Sequence, residues 1–119
     1  MANAGLFLGW GTAVSGREAK SLEMFQNEVL PFFQGQQDGG NIESYEVVFL
    51  EPHGGDLDGF ILARGDSEKI AQLRGSDDYT RLLTRGQFVV SSLGAVGANV
   101  GDGIQDGIAM YQEAISDLV

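Results

Sequence analysis

Residues 42–64 read IESYEVVFLEPHGGDLDGFILAR, and the pattern inside this stretch decides the architecture. Its flanks, 42–51 and 57–64, are rich in β-branched and aromatic residues, as strands are. Between them Pro52-His53-Gly54-Gly55-Asp56 supplies turn chemistry. A link of about five residues can join only antiparallel neighbours, so the spacing predicts a hairpin. In the second strand Leu57, Ile61 and Ala63 fall on one face while Phe60 and Leu62 fall on the other. A sheet that is apolar above and below needs a cover on both sides.

Toward the N-terminus, residues 5–14 (GLFLGWGTAV) read as a strand with Leu6, Leu8, Trp10, Thr12 and Val14 on one face. Gly5, Gly9 and Gly11 weaken it and mark close approach of another backbone or a ligand. Ser15-Gly16-Arg17-Glu18 has capping-box spacing. Leu22, Phe25, Val29 and Phe32 then follow at steps of three and four, one face of a helix. Pro31 lies inside that pattern and predicts a kink or break near residue 30, because it removes a helical hydrogen bond and crowds the preceding turn. Gly39-Gly40 closes the segment.

Toward the C-terminus, Asp66 or Ser67 can cap a short helix with Ile70, Ala71 and Leu73 inward and Gly75 at its end. Ser76-Asp77-Asp78 opens another, which Tyr79, Leu82, Leu83, Val89 and Val90 carry to about residue 92, with Gly94 as its stop. Residues 95–100 (AVGANV) read as a last strand. A terminal helix over 103–118 places Ile104, Ile108, Tyr111, Ile115 and Leu118 on one stripe. The order β-α-β-β-α-β-α is two βαβ halves plus a helix, the ferredoxin-like arrangement with a four-stranded antiparallel sheet. A single α+β domain over 1–119 is expected, its core within 4–101.

On element order, the short hairpin and the doubly apolar strands, residues 4–101 resemble the dimeric α+β barrel superfamily, in which two ferredoxin-like subunits set their sheets face to face. The stretch EPHGGDLDGF (residues 51–60) is similar to that of small bacterial members with no assigned activity. The resemblance implies a homodimer or higher homo-oligomer, since helices cover one sheet face and an uncovered apolar face exceeds what a soluble monomer tolerates. Members include cofactor-free monooxygenases, small-molecule isomerases, decarboxylase-like enzymes, haem-binding proteins and proteins of unknown role. No catalytic residue set of theirs carries over to particular positions here.

Composition bounds the partners. The chain of 119 residues carries 17 acids against 7 bases, a net charge of −10, which disfavours nucleic acid and anionic membranes. Five of the bases (Arg64, Lys69, Arg74, Arg81, Arg85) lie between residues 64 and 85, but four acids there leave the stretch only +1, a solvated helix surface. The absence of cysteine excludes disulfides and thiolate sites and fits a cytoplasmic location. The opening MANAGLFLGWGTAVSG lacks the basic start of a secretory signal, and no apolar run reaches the roughly 18 residues of a membrane span.

Candidate chemistry is sparse. His53, the one histidine, stands in a turn with Glu51 and Asp56 near enough in sequence to orient it as a general base. Glu46 lies mid-strand in register with Val48 and Leu50, with Arg64 or Arg85 as a possible partner; these two residues are the catalytic candidates. Trp10, Tyr45, Phe49, Phe60 and Tyr79 could line an apolar ligand pocket between sheet and helices. Asp56-Leu57-Asp58-Gly59 fails as a calcium loop, because position twelve is Ser67. Gly9-Trp10-Gly11 fails as a dinucleotide loop, because Val14 stands where the third glycine belongs. No metal and no cofactor is therefore expected. The expectation is an oligomeric module that binds a small apolar ligand, with a cofactor-independent monooxygenase-like or isomerase-like enzyme as the alternative.

Overall fold

The computed structural model of the chain describes residues 2–118. Strands β1 (Ala4–Trp10), β2 (Ser44–Phe49), β3 (Gly59–Gly65) and β4 (Gly94–Asn99) form one antiparallel sheet in the order β2-β3-β1-β4. Helices α1 (Glu18–Met24) and α2 (Leu30–Asp38), separated by the π-helical turn Phe25–Val29, join β1 to β2. Helices α3 (Ser67–Arg74) and α4 (Asp77–Gly86) join β3 to β4, and α5 (Gly103–Ala114) follows. The fold is ferredoxin-like α+β.

Register sorts the side chains. Leu6 faces Ala63 and Leu8 faces Ile61 across β1 and β3, and all four are buried under the helices with Met24, Phe33, Ile70, Leu73, Tyr79 and Leu82. The alternate positions point the other way. Phe7 lies opposite Leu62 and Val96, and Val48 lies opposite Phe60. On that second face Phe7 and Phe60 stack with centroids 5.1 Å apart, and Val96 is 57% exposed. The sheet is apolar on both sides, and its own helices cover one.

Local chemistry explains where elements begin and end. Asp66 accepts the amides of Glu68 and Lys69, both at 3.2 Å, and Ser76 accepts that of Tyr79 at 3.2 Å, so the caps of α3 and α4 are the ones the sequence suggests. Ser15 does not cap α1. The tight turn that brings the Arg17 amide to the Val14 carbonyl puts Arg17 at the helix start. Glu18 nevertheless reaches back to the Gly16 amide, at 3.3 Å.

Helix α4 ends at Gly86, short of the expected residue 92. Residues 89–91 instead pair with 11–14: the Gly11 amide donates to the Ser91 carbonyl at 2.7 Å and the Val14 amide to the Val89 carbonyl at 2.8 Å. A short apolar run such as Phe88-Val89-Val90 suits helix or strand alike, and pairing with the prolonged end of β1 decides it. Gly94 accordingly opens β4 rather than stopping a helix. The hairpin connection spans residues 50–58, longer than the five-residue turn expected, because Asp58 donates its amide to the Trp10 carbonyl at 2.7 Å before β3 begins.

Helix α5 stops at Ala114 and packs chiefly against β4. Its stripe stays open, with Ile104 46%, Ile108 45% and Tyr111 66% exposed. The molecule is correspondingly extended, 50 Å in its longest dimension. Among the described residues no helix is long and apolar enough to cross a membrane.

Candidate functional site

A cavity of about 230 Å³ lies between the helix-covered face of the sheet and the α1–π–α4 layer. Leu8 and Trp10 of β1 and Phe49 of β2 form its floor, Met24, Phe25 and Val29 one wall, and Leu82, Leu83 and Gly86 of α4 the other. Val89, Val90 and Leu93 close the rim, held there by the pairing of residues 89–91 with the end of β1. Trp10, Phe25 and Phe49 make a continuous aromatic surface, with centroid separations of 5.8, 5.5 and 6.3 Å around the triangle. The indole can lie flat across the neighbouring strand because Gly59 is its cross-strand partner. A Cβ at Gly59 would come within 2.8 Å of Trp10 Cζ2 and of the Val48 carbonyl oxygen.

The π-helical turn supplies the wall. Pro31 has no amide for the Asn27 carbonyl, and its ring crowds that turn, so the helix widens ahead of it instead of breaking. The Leu30 amide donates to the Phe25 carbonyl, five residues back. Such widened turns occur often at functional sites. Here the turn presents Phe25 and Val29 to the cavity. Glu28, on the same turn, is fastened to α4 by a two-pronged ion pair: Arg85 Nε and Nη2 each donate to a carboxylate oxygen at 2.8 Å. The hydrogen bonds from Arg85 hold the Glu28 carboxyl below the usual carboxylate range; burial opposes this, and the charges of Arg85, Arg81 and Lys20 add to it. The same bonds raise Arg85 above its ordinary value.

Of the aromatic residues singled out from sequence, Trp10 and Phe49 line the cavity. The other three stand elsewhere. Tyr45 stacks near Phe33 and donates its hydroxyl to Gln34 Oε1 at 2.9 Å. Phe60 lies on the open sheet face against Phe7. Tyr79 is buried beside Phe32, its hydroxyl without a partner among the described residues. Phe25 and Val29 belong to the apolar periodicity of residues 22–32, which by itself reads as core.

The two candidate bases are not brought together. His53 is exposed in the 50–58 loop, with Nδ1 accepting the Gly55 amide at 3.1 Å and Nε2 lying 2.6 Å from the Leu57 carbonyl. The neutral imidazole protonated at Nε2 satisfies both contacts, so the ring pins its own loop. Glu46 stands on the open sheet face, 59% exposed, with Arg64 Nη1 3.8 Å from its carboxylate. Around the cavity itself the side chains that carry polar oxygen are Glu18 and Ser21, three residues apart on one face of α1. No three His, Asp or Glu side chains converge as metal ligands among the described residues. The cavity is thus an apolar, aromatic-floored pocket with one carboxylate and one hydroxyl at its edge.

No protein-family model matches the sequence, and no curated protein matches it. Solved structures do. The chain is similar to an EthD-family protein from Bacillus halodurans, with a TM-score of 0.64 at 10% identity over 85% of this chain and 100% of that one. A dimeric ferredoxin-like protein of unknown function from Thermobifida fusca aligns with a TM-score of 0.60 at 10% identity, covering 84% and 93%. A protein of unknown function from Bacteroides thetaiotaomicron, called a possible oxidoreductase, aligns with a TM-score of 0.57 at 11% identity, covering 83% and 98%. At these identities the likeness establishes the shared fold.

Proposed function

We propose that the protein is a homodimeric module that holds a small apolar molecule in the pocket over Trp10, Phe25 and Phe49. The observation that carries the reading is the pocket: about 230 Å³ of space, almost wholly hydrocarbon-lined, in a chain small enough to fill its core completely. The pocket leaves hydrocarbon in contact with water, Phe49 being 66% and Leu22 57% exposed, and a ligand that covers it gains about 25 cal/mol per Å² removed from water. The volume lies just below the roughly 300–1,000 Å³ of drug-sized sites, which points to a compact ligand. Trp10, the one tryptophan of the chain, reports on it directly. Toluene is expected to change Trp10 fluorescence saturably, and Leu83→Phe, which fills the cavity, is expected to abolish the response. A linear, unsaturable change that persists in the filled variant would overturn the reading.

The dimer is supported by the open apolar face carrying Phe7, Val48, Phe60, Leu62 and Val96, and by the dimeric protein of the same fold. Light scattering at low micromolar concentration should return twice the chain mass of 12.7 kDa, and 12.7 kDa itself would count against it. A cytoplasmic location belongs to the same reading and rests on the absence of cysteine.

A second reading, cofactor-independent catalysis, draws on the position of Glu46 beside Arg64 on the face that a partner sheet would close. Glu46 would then act as a base in enclosed space, with His53 at the loop end of the same strand pair. Deuterium uptake by a small carbon acid such as phenylacetone, present with the native chain and lost in Glu46→Gln at unchanged mass, would support it. Equal uptake by native chain, variant and buffer would refute it.

A further inference from the structure

We infer that the pocket selects a small organic amine, its apolar body on the Trp10–Phe25–Phe49 surface and its ammonium against Glu18 and Ser21. This rests on the cavity being a ligand site, as proposed above. The lining contains one charged side chain, and it is a carboxylate; no Lys, Arg or His lines the cavity. Glu18 and Ser21 share one face of α1, so the polar groups are gathered on one wall of the pocket rather than scattered around it. Glu18 is engaged through Oε2 alone, by the Gly16 amide at the long distance of 3.3 Å, and this leaves carboxylate lone pairs for a ligand donor.

Three further features set the sign of the ligand charge. Of the bases on the surrounding elements, Arg85 is paired with Glu28 and Lys20 with Glu23 at 3.5 Å, while Arg17 and Arg81 do not line the cavity. The chain as a whole carries −10, which draws cations toward it and turns carboxylates away. The aromatic surface acts in the same direction, since ring faces attract ammonium groups within about 6 Å. An apolar ligand with an anionic end would meet repulsion at the only polar wall, and one with a neutral hydroxyl would gain a hydrogen bond without the charge.

Three probes of similar size separate these cases: 2-phenylethylamine, 2-phenylethanol and 3-phenylpropanoate, each titrated at low salt against Trp10 fluorescence. The amine is expected to bind about tenfold more tightly than the alcohol, with the carboxylate weakest. In Glu18→Gln the preference for the amine over the alcohol should disappear; circular dichroism confirms that the variant is folded. Equal affinities for amine and alcohol in the native chain, or a preference for the amine that survives in Glu18→Gln, would overturn the amine assignment and leave the ligand site standing. Absence of a saturable response to all three probes would overturn both.

Discussion

Tyr79 and His53 show what single polar groups do in this fold. The Tyr79 hydroxyl is buried with no partner among the described residues, and burial pushes its ionisation above the ordinary value of 10.0, with Arg74 opposing weakly. Leaving a buried hydroxyl unpaired costs about 1–3 kcal/mol, so Tyr79→Phe should raise stability by about 1 kcal/mol in urea unfolding. The pH dependence has a definite sign. Folding favours the neutral phenol, so the stability of the native chain is intact below pH 10 and drains away as pH rises from there toward the raised folded value. The phenylalanine variant should lack that alkaline decline. His53 is the opposite case, with both ring nitrogens used inside its own loop. His53→Ala should cost about 1 kcal/mol and speed amide exchange at Gly55, leaving the sheet untouched.

At this scale sequence reading had a clear limit. Alternation set Phe60 apart from Ile61 but not which of the two faces the helices would cover, so the expected pocket residue stands on the open face; for Tyr45 and Phe49 it did not tell how far along the sheet each would stand from the gap between the helices. Tyr45 and Phe49 share a face, yet one packs on Phe33 and the other on Phe25. Glu18 was legible as a helix-start acid, and that role hid its place on the cavity wall.

Among the elements, the π-helical turn is where sequence and site meet. Pro31 announced a disturbance near residue 30, and the chain answers it by widening the preceding turn rather than breaking the helix. A partner distant in sequence fastens the widened turn: Glu28 reaches Arg85 on α4, 57 residues away, and no local pattern could reveal that pairing. The pair is half exposed, so its effect is local rather than a large share of global stability. Because Arg85 lowers the Glu28 ionisation in the folded state, the stabilisation is complete above the ordinary carboxylate value of 4.5 and is lost as pH falls through the lowered folded value. Glu28→Gln should therefore melt lower than the native chain at pH 7, with the two melting curves converging as the solution is acidified. Amide exchange at residues 25–30 should quicken in the variant at neutral pH. A constant difference in melting temperature down to pH 2 would show that the ion pair is not its source.

For the whole molecule, surface area decides whether one copy is a complete structure. The chain exposes 7,563 Å², against about 6,200 Å² for a folded monomer of its mass. Its radius of gyration is 16.0 Å, against about 13.5 Å for a compact domain of this length. The excess of about 1,300 Å² is more than the roughly 800 Å² that each partner buries in a standard interface. Half-buried Phe7, Val48, Phe60 and Leu62 with exposed Val96 on the open sheet face, and the exposed stripe of α5, are apolar surface of this kind, and both were written in the sequence, as apolar residues on two faces of residues 57–64 and at helical spacing from Ile104. If folding and pairing are one event, stability must depend on concentration, each tenfold dilution weakening the dimer by about 1.4 kcal/mol. The melting temperature should thus fall steadily between 100 and 1 μM, on the order of a few degrees per decade. Val96→Asp, which sets a charge on the open face opposite Phe7, should lower it further and shift the mass toward 12.7 kDa at the dilute end. A melting temperature that is the same across that range, with Val96→Asp indistinguishable from the native chain, would mean that the open face needs no second copy.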